Sequence, residues 1–101
     1  MINTKFNNII NSKIPVLVDF YADWCAPCKQ VTPILKVVKE SLKERVRIIK
    51  VNVDNNPAIA TKYQIRNIPT VIIFKEGDLK WKGAGVRPAN EIVTVFKQYI
   101  D

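Results

Sequence analysis

Apolar runs separated by polar turns predict four strands. Residues 16–21 are β-branched, aromatic and almost uninterrupted, and residues 46–53 repeat that pattern. Runs of this kind are typical of strands covered on both faces, so we expect both to be buried, the first as a central strand. Residues 70–74 form a third run, and the tight turn at residues 76–78 predicts that the more polar residues 79–84 return beside it as a hairpin.

Four other segments space their apolar residues at the helical period. Asn3 or Thr4 is placed to cap the first of these helices. A long helix follows Cys28, and Pro33 within it is expected to bend it. Pro88 fits the first turn of the last helix. The predicted helices cover residues 4–12, 28–42, 57–63 and 88–100.

The order of these elements predicts the fold class. A strand–helix–strand half is followed by a strand–strand–helix half, which indicates an α/β protein with one mixed four-stranded sheet flanked by helices on both faces. A chain of 101 residues without repeats, linkers or low-complexity segments is expected to form a single domain over residues 1–101.

Charge and hydropathy narrow the possible partners. The formal net charge is +7, but the basic residues are scattered, without a dense run or interleaved aromatics, so we expect no nucleic-acid partner. No apolar stretch approaches the roughly 20 residues that span a bilayer, and the first twelve residues lack the pattern of a secretory signal. The sequence therefore predicts a cytoplasmic protein without a membrane partner, and we expect a monomer.

The chain contains two cysteines, Cys25 and Cys28, separated by two residues. They cannot form the several bridges of a small secreted scaffold, and without a third cysteine or any histidine they cannot complete a four-coordinate zinc site within one chain. Two inert core cysteines remain an alternative. The pair, however, follows Trp24 at a predicted strand-to-helix junction, which favours redox chemistry.

The two sulfurs are expected to have different roles. Cys25 lies at the predicted first helical turn, where unpaired N–H groups favour a thiolate, and the thiolate is the form that attacks a disulfide. Cys28 lies one turn further in. We therefore expect Cys28 to be more enclosed and to resolve the mixed disulfide that Cys25 forms.

An acidic residue, Asp19, lies inside the first apolar strand, where a carboxylate without partners is unfavourable. Lys50, between two apolar residues of the second strand, is one candidate partner for an ion pair. The other hypothesis is a proton relay, in which burial raises the pKa of Asp19 and lets the carboxyl exchange a proton with Cys28. The sequence leaves both hypotheses open and favours the relay.

Pro69 immediately precedes the core of the third strand, where it cannot donate to the sheet ladder. A cis peptide bond is possible at this position. General frequencies of X–Pro bonds nevertheless favour an ordinary trans proline that begins the strand.

The motifs that carry these residues closely resemble those of the thioredoxin family. They occur in the family's order and extend over nearly the whole chain. The matching segments are VDFYADWCAPCK at residues 18–29, VNVD at 51–54 followed by NP at 56–57, IRNIPT at 65–70, FKEG at 74–77 and GAG at 83–85.

This resemblance implies a thioredoxin fold and a reductase of protein disulfides with no bound cofactor. Its redox-active disulfide would be recharged by a thioredoxin reductase that draws electrons from NADPH. By position, Cys25 is the attacking thiol and Cys28 the resolving thiol. Asp19 is the buried acid, with Lys50 as its neighbour, and Pro69 is a cis proline facing the disulfide. The implied docking rim for protein substrates consists of Trp24, Ala26, Pro27, Ile68 and Gly85.

The chain departs from the family pattern at a few positions. Ala26 stands in place of the usual glycine, which leaves the potential open to a small shift, while Asn67 replaces a common glycine and Tyr21 a common tryptophan. The family's N-terminal strand is largely missing, so four strands are expected instead of five.

Two rival functions fit the same scaffold. A disulfide oxidase or isomerase would run the exchange in another direction, and a non-catalytic binding subunit would not use the cysteines. Oxidases and isomerases of this type commonly place a histidine between the cysteines. Ala26 and Pro27 add no such charge, which favours the reductase.

Overall fold

The computed structural model describes residues 3–101, which alternate between helices and strands. Met1 and Ile2, the start of the N-terminal region considered above, lie outside the described residues. The order is the predicted one. The elements are α1 (Thr4–Ile10), β1 (Val16–Tyr21), α2 (Cys28–Leu42), a 3-10 turn (Lys43–Arg45), β2 (Arg47–Asn52), α3 (Pro57–Lys62), β3 (Thr70–Lys75), β4 (Asp78–Ala84) and α4 (Ala89–Lys97).

The four strands form one mixed sheet in the order β2-β1-β3-β4. β1 pairs with β2 in parallel, and the β1–β3 and β3–β4 pairs are antiparallel. The predicted four-stranded sheet is therefore confirmed. In this register Asp19 of β1 lies between Lys50 of β2 and Val71 of β3. Because β1 and β2 run in the same direction, the loops that follow them meet at the same edge of the sheet.

Alternate residues of β1 pack into two apolar layers, one on each face of the sheet. Leu17 packs on the face covered by α2 and α4, whereas Val18 and Phe20 pack on the face covered by α1 and α3. This alternation follows from the two-residue period of a strand. Helices on both faces, as predicted, bury the sheet and hold β1 in its centre.

The second strand differs from its prediction. We expected β2 to be buried on both faces, but it is an edge strand in which Arg47 and Lys50 are exposed and only Val51 is fully buried. The physical reason is that only β1 pairs with it, so its other side is open. The hydrophobic pattern of a strand indicates whether its two faces are covered. It does not indicate how many strands pair with it.

The predicted helix boundaries hold with small changes. Asn3, not Thr4, caps α1, because the Phe6 N–H donates to Asn3 Oδ1 at 2.8 Å. Pro33 lies inside α2, and the helix continues through it. Pro88 is the residue directly before α4, and this helix ends at Lys97, short of the predicted residue 100.

The hairpin between β3 and β4 turns on Glu76 and Gly77, which both have positive φ, 54° and 84°. Two successive residues of this kind define the type I′ turn that suits a two-residue hairpin. Their amide groups also bind the end of α1 and the loop after it, since Gly77 N–H donates to the Ile10 carbonyl at 3.1 Å and Glu76 N–H to the Ser12 carbonyl at 2.8 Å. The turn thus anchors the hairpin to the N-terminal layer.

Candidate active site

The two cysteines lie where the chain leaves β1 and enters α2. They are joined as a disulfide, with their Cα atoms 5.4 Å apart. The Cys25 N–H donates to the Ala22 carbonyl at 3.2 Å, which closes the turn between strand and helix. Both cysteines pack with Ala22 in a small apolar cluster. The predicted redox pair is therefore present, at the carboxyl end of the central strand.

The difference between the two sulfurs does not arise from burial. Cys28 was expected to be more enclosed, and this was wrong: Cys25 is 4% exposed and Cys28 is 5% exposed. The apolar cluster encloses both because the turn brings Cys25 back against β1. Cys25 also precedes α2 by three residues instead of lying in its first turn.

Hydrogen bonding, in contrast, distinguishes the two sulfurs. The Cys28 N–H donates to Cys25 Sγ at 3.3 Å, so Cys25 occupies the place of a side-chain cap for the helix start. The helix begins with tight turns, in which Lys29 N–H donates to the Ala26 carbonyl and Gln30 N–H to the Pro27 carbonyl. A thiolate at Cys25 would accept the same amide proton and face the positive end of α2.

Asp19 is the buried acid that the sequence indicated. It is 0% exposed, and neither carboxyl oxygen has a hydrogen-bond partner. Burial raises the pKa of Asp19 to about 6, and the positive charge of Lys50 partly offsets that rise. β1 carries Asp19 two residues before Tyr21, which packs against the cysteine cluster. A carboxyl with this pKa is close to the protonation balance that acid–base catalysis at neutral pH requires.

Lys50 is the neighbour of Asp19 across the two strands, but it does not form the ion pair that we considered. Within residues 3–101, no nitrogen of a basic side chain comes within 4.0 Å of the Asp19 oxygens. The Lys50 ammonium instead lies 4.6 Å from the centre of the Tyr21 ring and donates to Thr32 Oγ1 at 3.4 Å. The hypothesis of a structural ion pair is therefore wrong, because the Lys50 ammonium remains on the solvent-exposed side of the strand.

The loop before β3 carries the proline. The Ile68–Pro69 peptide bond is cis, which confirms the isomer implied by the resemblance and not the more frequent trans form. Ile68 packs against the cysteine cluster, and Gly85 N–H donates to the Pro69 carbonyl at 2.8 Å. Gly85 has a φ of 82°, a backbone conformation that favours glycine. A backbone hydrogen bond thus joins the loop that carries Pro69 to the loop that carries Gly85.

The predicted rim differs in how far each residue is exposed. Trp24 is 71% exposed, Ala26, Pro27 and Gly85 are exposed, and Ile68 is half-buried. Exposed apolar surface therefore lies beside a nearly buried disulfide. Exposed apolar surface of this kind is typical of a docking site for another protein.

One contact at the site was missed by sequence reasoning. Trp24 Nε1 donates to Asp54 Oδ2 at 2.9 Å, so a carboxylate on the loop after β2 holds the indole at the edge of the site. Asp54 is itself fixed by its N–H, which donates to Asn52 Oδ1 at 2.9 Å. The parallel pairing of β1 and β2 was the available signal, because it brings the loops that follow the two strands to the same edge.

A disulfide between closely spaced cysteines at a strand-to-helix junction, on the strand that also carries a buried acid, is typical of thiol–disulfide oxidoreductases. The model of the thioredoxin family matches residues 1–98 of the chain. This chain therefore belongs to the thioredoxin family.

Individual relatives agree with this assignment. A thioredoxin of Rickettsia bellii is 44% identical over 85 residues, which cover 84% of this chain and 81% of that protein. The chloroplastic thioredoxin Y2 of Arabidopsis thaliana is 48% identical over 90 residues, 88% of this chain and 54% of that protein.

Solved structures show the same fold. A mutant thioredoxin of Halobacterium salinarum superposes with a TM-score of 0.88 at 28% identity, covering 100% of this chain and 88% of that chain. The oxidised mitochondrial thioredoxin 3 of Saccharomyces cerevisiae superposes with a TM-score of 0.83 at 33% identity, covering 93% and 88%. The predicted thioredoxin fold is confirmed.

Membership of this family, together with the Cys25–Cys28 pair, establishes the activity. The protein is an oxidoreductase that acts on disulfide-containing proteins, reducing them by thiol–disulfide exchange. The exchange uses the two sulfurs themselves and needs no bound cofactor. Within residues 3–101, no helix is long and apolar enough to span a bilayer.

Proposed function

We propose that the protein is a general protein-disulfide reductase in which Cys25 attacks and Cys28 resolves. The observation that carries this division of roles is the hydrogen bond from the Cys28 N–H to Cys25 Sγ at 3.3 Å. No hydrogen bond to Cys28 Sγ occurs within residues 3–101. A hydrogen bond to the charged form lowers a pKa, so Cys25 should be the more readily ionised thiol.

In the proposed reaction the reduced dithiol gives two electrons to the substrate disulfide. The Cys25 thiolate attacks one substrate sulfur, the substrate S–S bond breaks, and the first substrate thiolate leaves and takes up a proton. Cys28 then loses its proton, attacks the sulfur of Cys25 and breaks the mixed disulfide. The second substrate thiolate leaves, and the Cys25–Cys28 disulfide remains.

Asp19 is proposed to accept the proton of Cys28 during resolution. Three properties of the carboxyl support this role: it is fully buried, it has no hydrogen-bond partner, and its pKa is about 6. At neutral pH such a group is largely ionised yet remains a stronger base than an exposed carboxylate.

The relay predicts that Asp19→Ala slows the resolving step more than the attack on substrate, by roughly 10²-fold or more. Stopped-flow measurement of the two steps across pH tests this, with Asp23→Ala as the control for loss of one exposed carboxylate. An unchanged rate and pH profile in Asp19→Ala would exclude the relay.

Substrate docking is proposed to use the apolar rim. Trp24, Ala26 and Pro27 lie on the cysteine side and Ile68 and Gly85 on the side of Pro69. Because the sulfurs are nearly buried, a partner must approach closely before exchange, and apolar surface at the rim favours that approach.

The electron supply and the compartment are also proposals. We propose a thioredoxin reductase as the partner that returns electrons from NADPH, and the cytoplasm as the location, since a reductase needs a reducing compartment. The test of the first is whether NADPH consumption by a thioredoxin reductase rises with this chain and not with the double variant Cys25→Ser and Cys28→Ser. Cell fractionation tests the second, since recovery with an organelle would overturn it.

The division of roles predicts which variant traps substrates. Cys28→Ser should retain substrate proteins as mixed disulfides on Cys25, because the resolving thiol is gone. Isolation from cells under reducing growth, followed by elution with reductant, measures the yield. Cys25→Ser is the matched control and should trap few partners. The opposite ranking of the two variants would reverse the proposed roles.

The reduction potential tests the direction of the exchange against the rival oxidase and isomerase. A value near that of thioredoxin, about −270 mV, supports the reductase, whereas a value near about −180 or −120 mV would support the isomerase or oxidase. Equilibration with glutathione buffers measures it.

A further inference from the structure

We infer that Tyr21 is a positioning residue for the proposed proton transfer. Its ring, together with the hydroxyl of Thr32, holds the ammonium of Lys50 near Asp19 but outside ion-pair distance. This arrangement sets how readily the buried carboxylate takes up a proton. The inference rests on the proposed role of Asp19, and its test is chosen so that the two can fail separately.

Two contacts define where the Lys50 ammonium lies. It is 4.6 Å from the centre of the Tyr21 ring, within the range of a cation–π interaction, and it donates to Thr32 Oγ1 at 3.4 Å. Tyr21 and Asp19 are two residues apart on β1, so both side chains face the α2 side of the sheet. Lys50 pairs with Asp19 in register and projects toward the same face.

The same geometry explains why no ion pair forms. Asp19 is 0% exposed, so an ammonium that reached it would lose its hydration, which is unfavourable even beside an opposite charge. The ring face and the exposed hydroxyl instead offer favourable contacts at the surface. Lys50 therefore acts on Asp19 through its field and not through a hydrogen bond.

Few other groups compete for this effect. On the face that carries Asp19, β3 contributes the apolar Val71, and α4 contributes the apolar Ile92 and Phe96. From α2 come apolar side chains of the same layer, and Cys28 of this helix is part of the disulfide and does not titrate. Lys50 is the charge that lowers the pKa of Asp19 against the effect of burial. Any change in where its ammonium lies should thus appear directly in the titration of Asp19.

Loss of the ring should let the ammonium move outward into water, which weakens its field at Asp19. We expect Tyr21→Leu to raise the pKa of Asp19 by roughly half a unit and Lys50→Met to raise it by roughly one unit. Tyr21→Phe keeps the ring face and should retain the wild-type value. The measurement is a carboxyl-carbon NMR titration of the oxidised protein, which requires no turnover.

A double variant isolates the proposed coupling. In the Lys50→Met background, Tyr21→Leu should cause no additional shift, because the ammonium that the ring positions is absent. Lys36→Met, which removes a lysine on the exposed side of α2, is the control for net charge and should leave the titration unchanged. Thr32→Val, at an exposed helical position, should shift the pKa in the same direction and serves as the second variant if Tyr21→Leu does not fold.

An unchanged or lowered Asp19 pKa in Tyr21→Leu would overturn the inference, as would a shift that persists without Lys50. If these titrations behave as expected but Asp19→Ala resolves mixed disulfides at the wild-type rate, the positioning stands and the proton relay fails. If Asp19→Ala is slow and the titration ignores Tyr21, the relay stands and the positioning fails.

Discussion

Asp19 illustrates at the scale of one residue how a buried charge opposes stability. The carboxyl is buried without a hydrogen bond, and its pKa rises from 3.8 to about 6 because burial disfavours the charged form. Between these two values the folded state binds more protons than the unfolded state. The stability associated with this group is therefore fully present below the lower pKa and is lost as the pH rises through the higher one.

The linkage predicts that Asp19→Ala stabilises the protein at neutral pH relative to acid pH. With a pKa that rises from 3.8 to about 6, the ionised carboxyl costs about 3 kcal/mol at neutral pH. The free energy of unfolding of the variant minus that of the wild type should therefore increase by most of this amount between about pH 4 and about pH 8. Urea titrations across that range measure it, and a difference that is independent of pH would contradict the prediction.

At the scale of single residues, the sequence predicted the reacting groups more accurately than it predicted the contacts around them. Cys25, Cys28 and Asp19 could be found because each residue type is unusual in its position. The equal burial of the two cysteines and the place of the Lys50 ammonium could not be found. Both depend on how the turn and the side chains pack in three dimensions, which spacing along the chain does not encode.

At the scale of elements, the end of α2 carries backbone strain. Lys43 has φ 52° and ψ −127°, a region that residues with a Cβ rarely occupy. The carbonyls at this end are satisfied by Lys39 Nζ, which donates to the Lys43 carbonyl at 2.8 Å and to the Val46 carbonyl at 2.7 Å. The surrounding hydrogen bonds thus hold a conformation that glycine would adopt without strain.

This strain predicts that Lys43→Gly raises the free energy of unfolding by about 1 kcal/mol. Denaturant titration at neutral pH measures the change. Lys36→Gly, inside the same helix, is the matched control and should lower the free energy of unfolding by about 1 kcal/mol, because glycine is unfavourable in a helix interior. Equal losses in both variants would show that Lys43 is unstrained.

The elements themselves were largely predictable, since their apolar periods and turn residues agree with the fold. The helix ends differ from the predicted ends by a few residues, as at Lys97 of α4. The burial of β2 was wrong because the residues 47–52 resemble a central strand, and their position at the edge depends on which strands pair. That choice is made by the whole sheet and not by the segment.

At the scale of the molecule, the two apolar layers share the central sheet, which supports one cooperative unit. The single domain over residues 1–101 remains a prediction, and the two tryptophans offer a test of it. Trp24 lies at the rim of the site, whereas Trp81 of β4 packs against the core between the sheet and α2 with α4. The fluorescence of the two tryptophans therefore reports on unfolding in separate parts of the fold.

If the chain is one domain, the variants Trp24→Phe and Trp81→Phe should unfold with fluorescence midpoints that coincide with the midpoint from far-ultraviolet circular dichroism in the same variant. Each variant leaves one tryptophan as a local probe. An earlier transition at Trp24 would show that the active-site end unfolds as a separate unit.

The solitary carboxylate of Asp19 has a consequence for anyone who engineers this protein. A screen for heat resistance at neutral pH favours uncharged replacements at this position, since each removes a buried charge. Such variants would retain the fold and both cysteines, and would pass any assay of structure or thiol content. Under the proposed relay, only an assay of turnover would show that such a stabilised protein is also a slower catalyst.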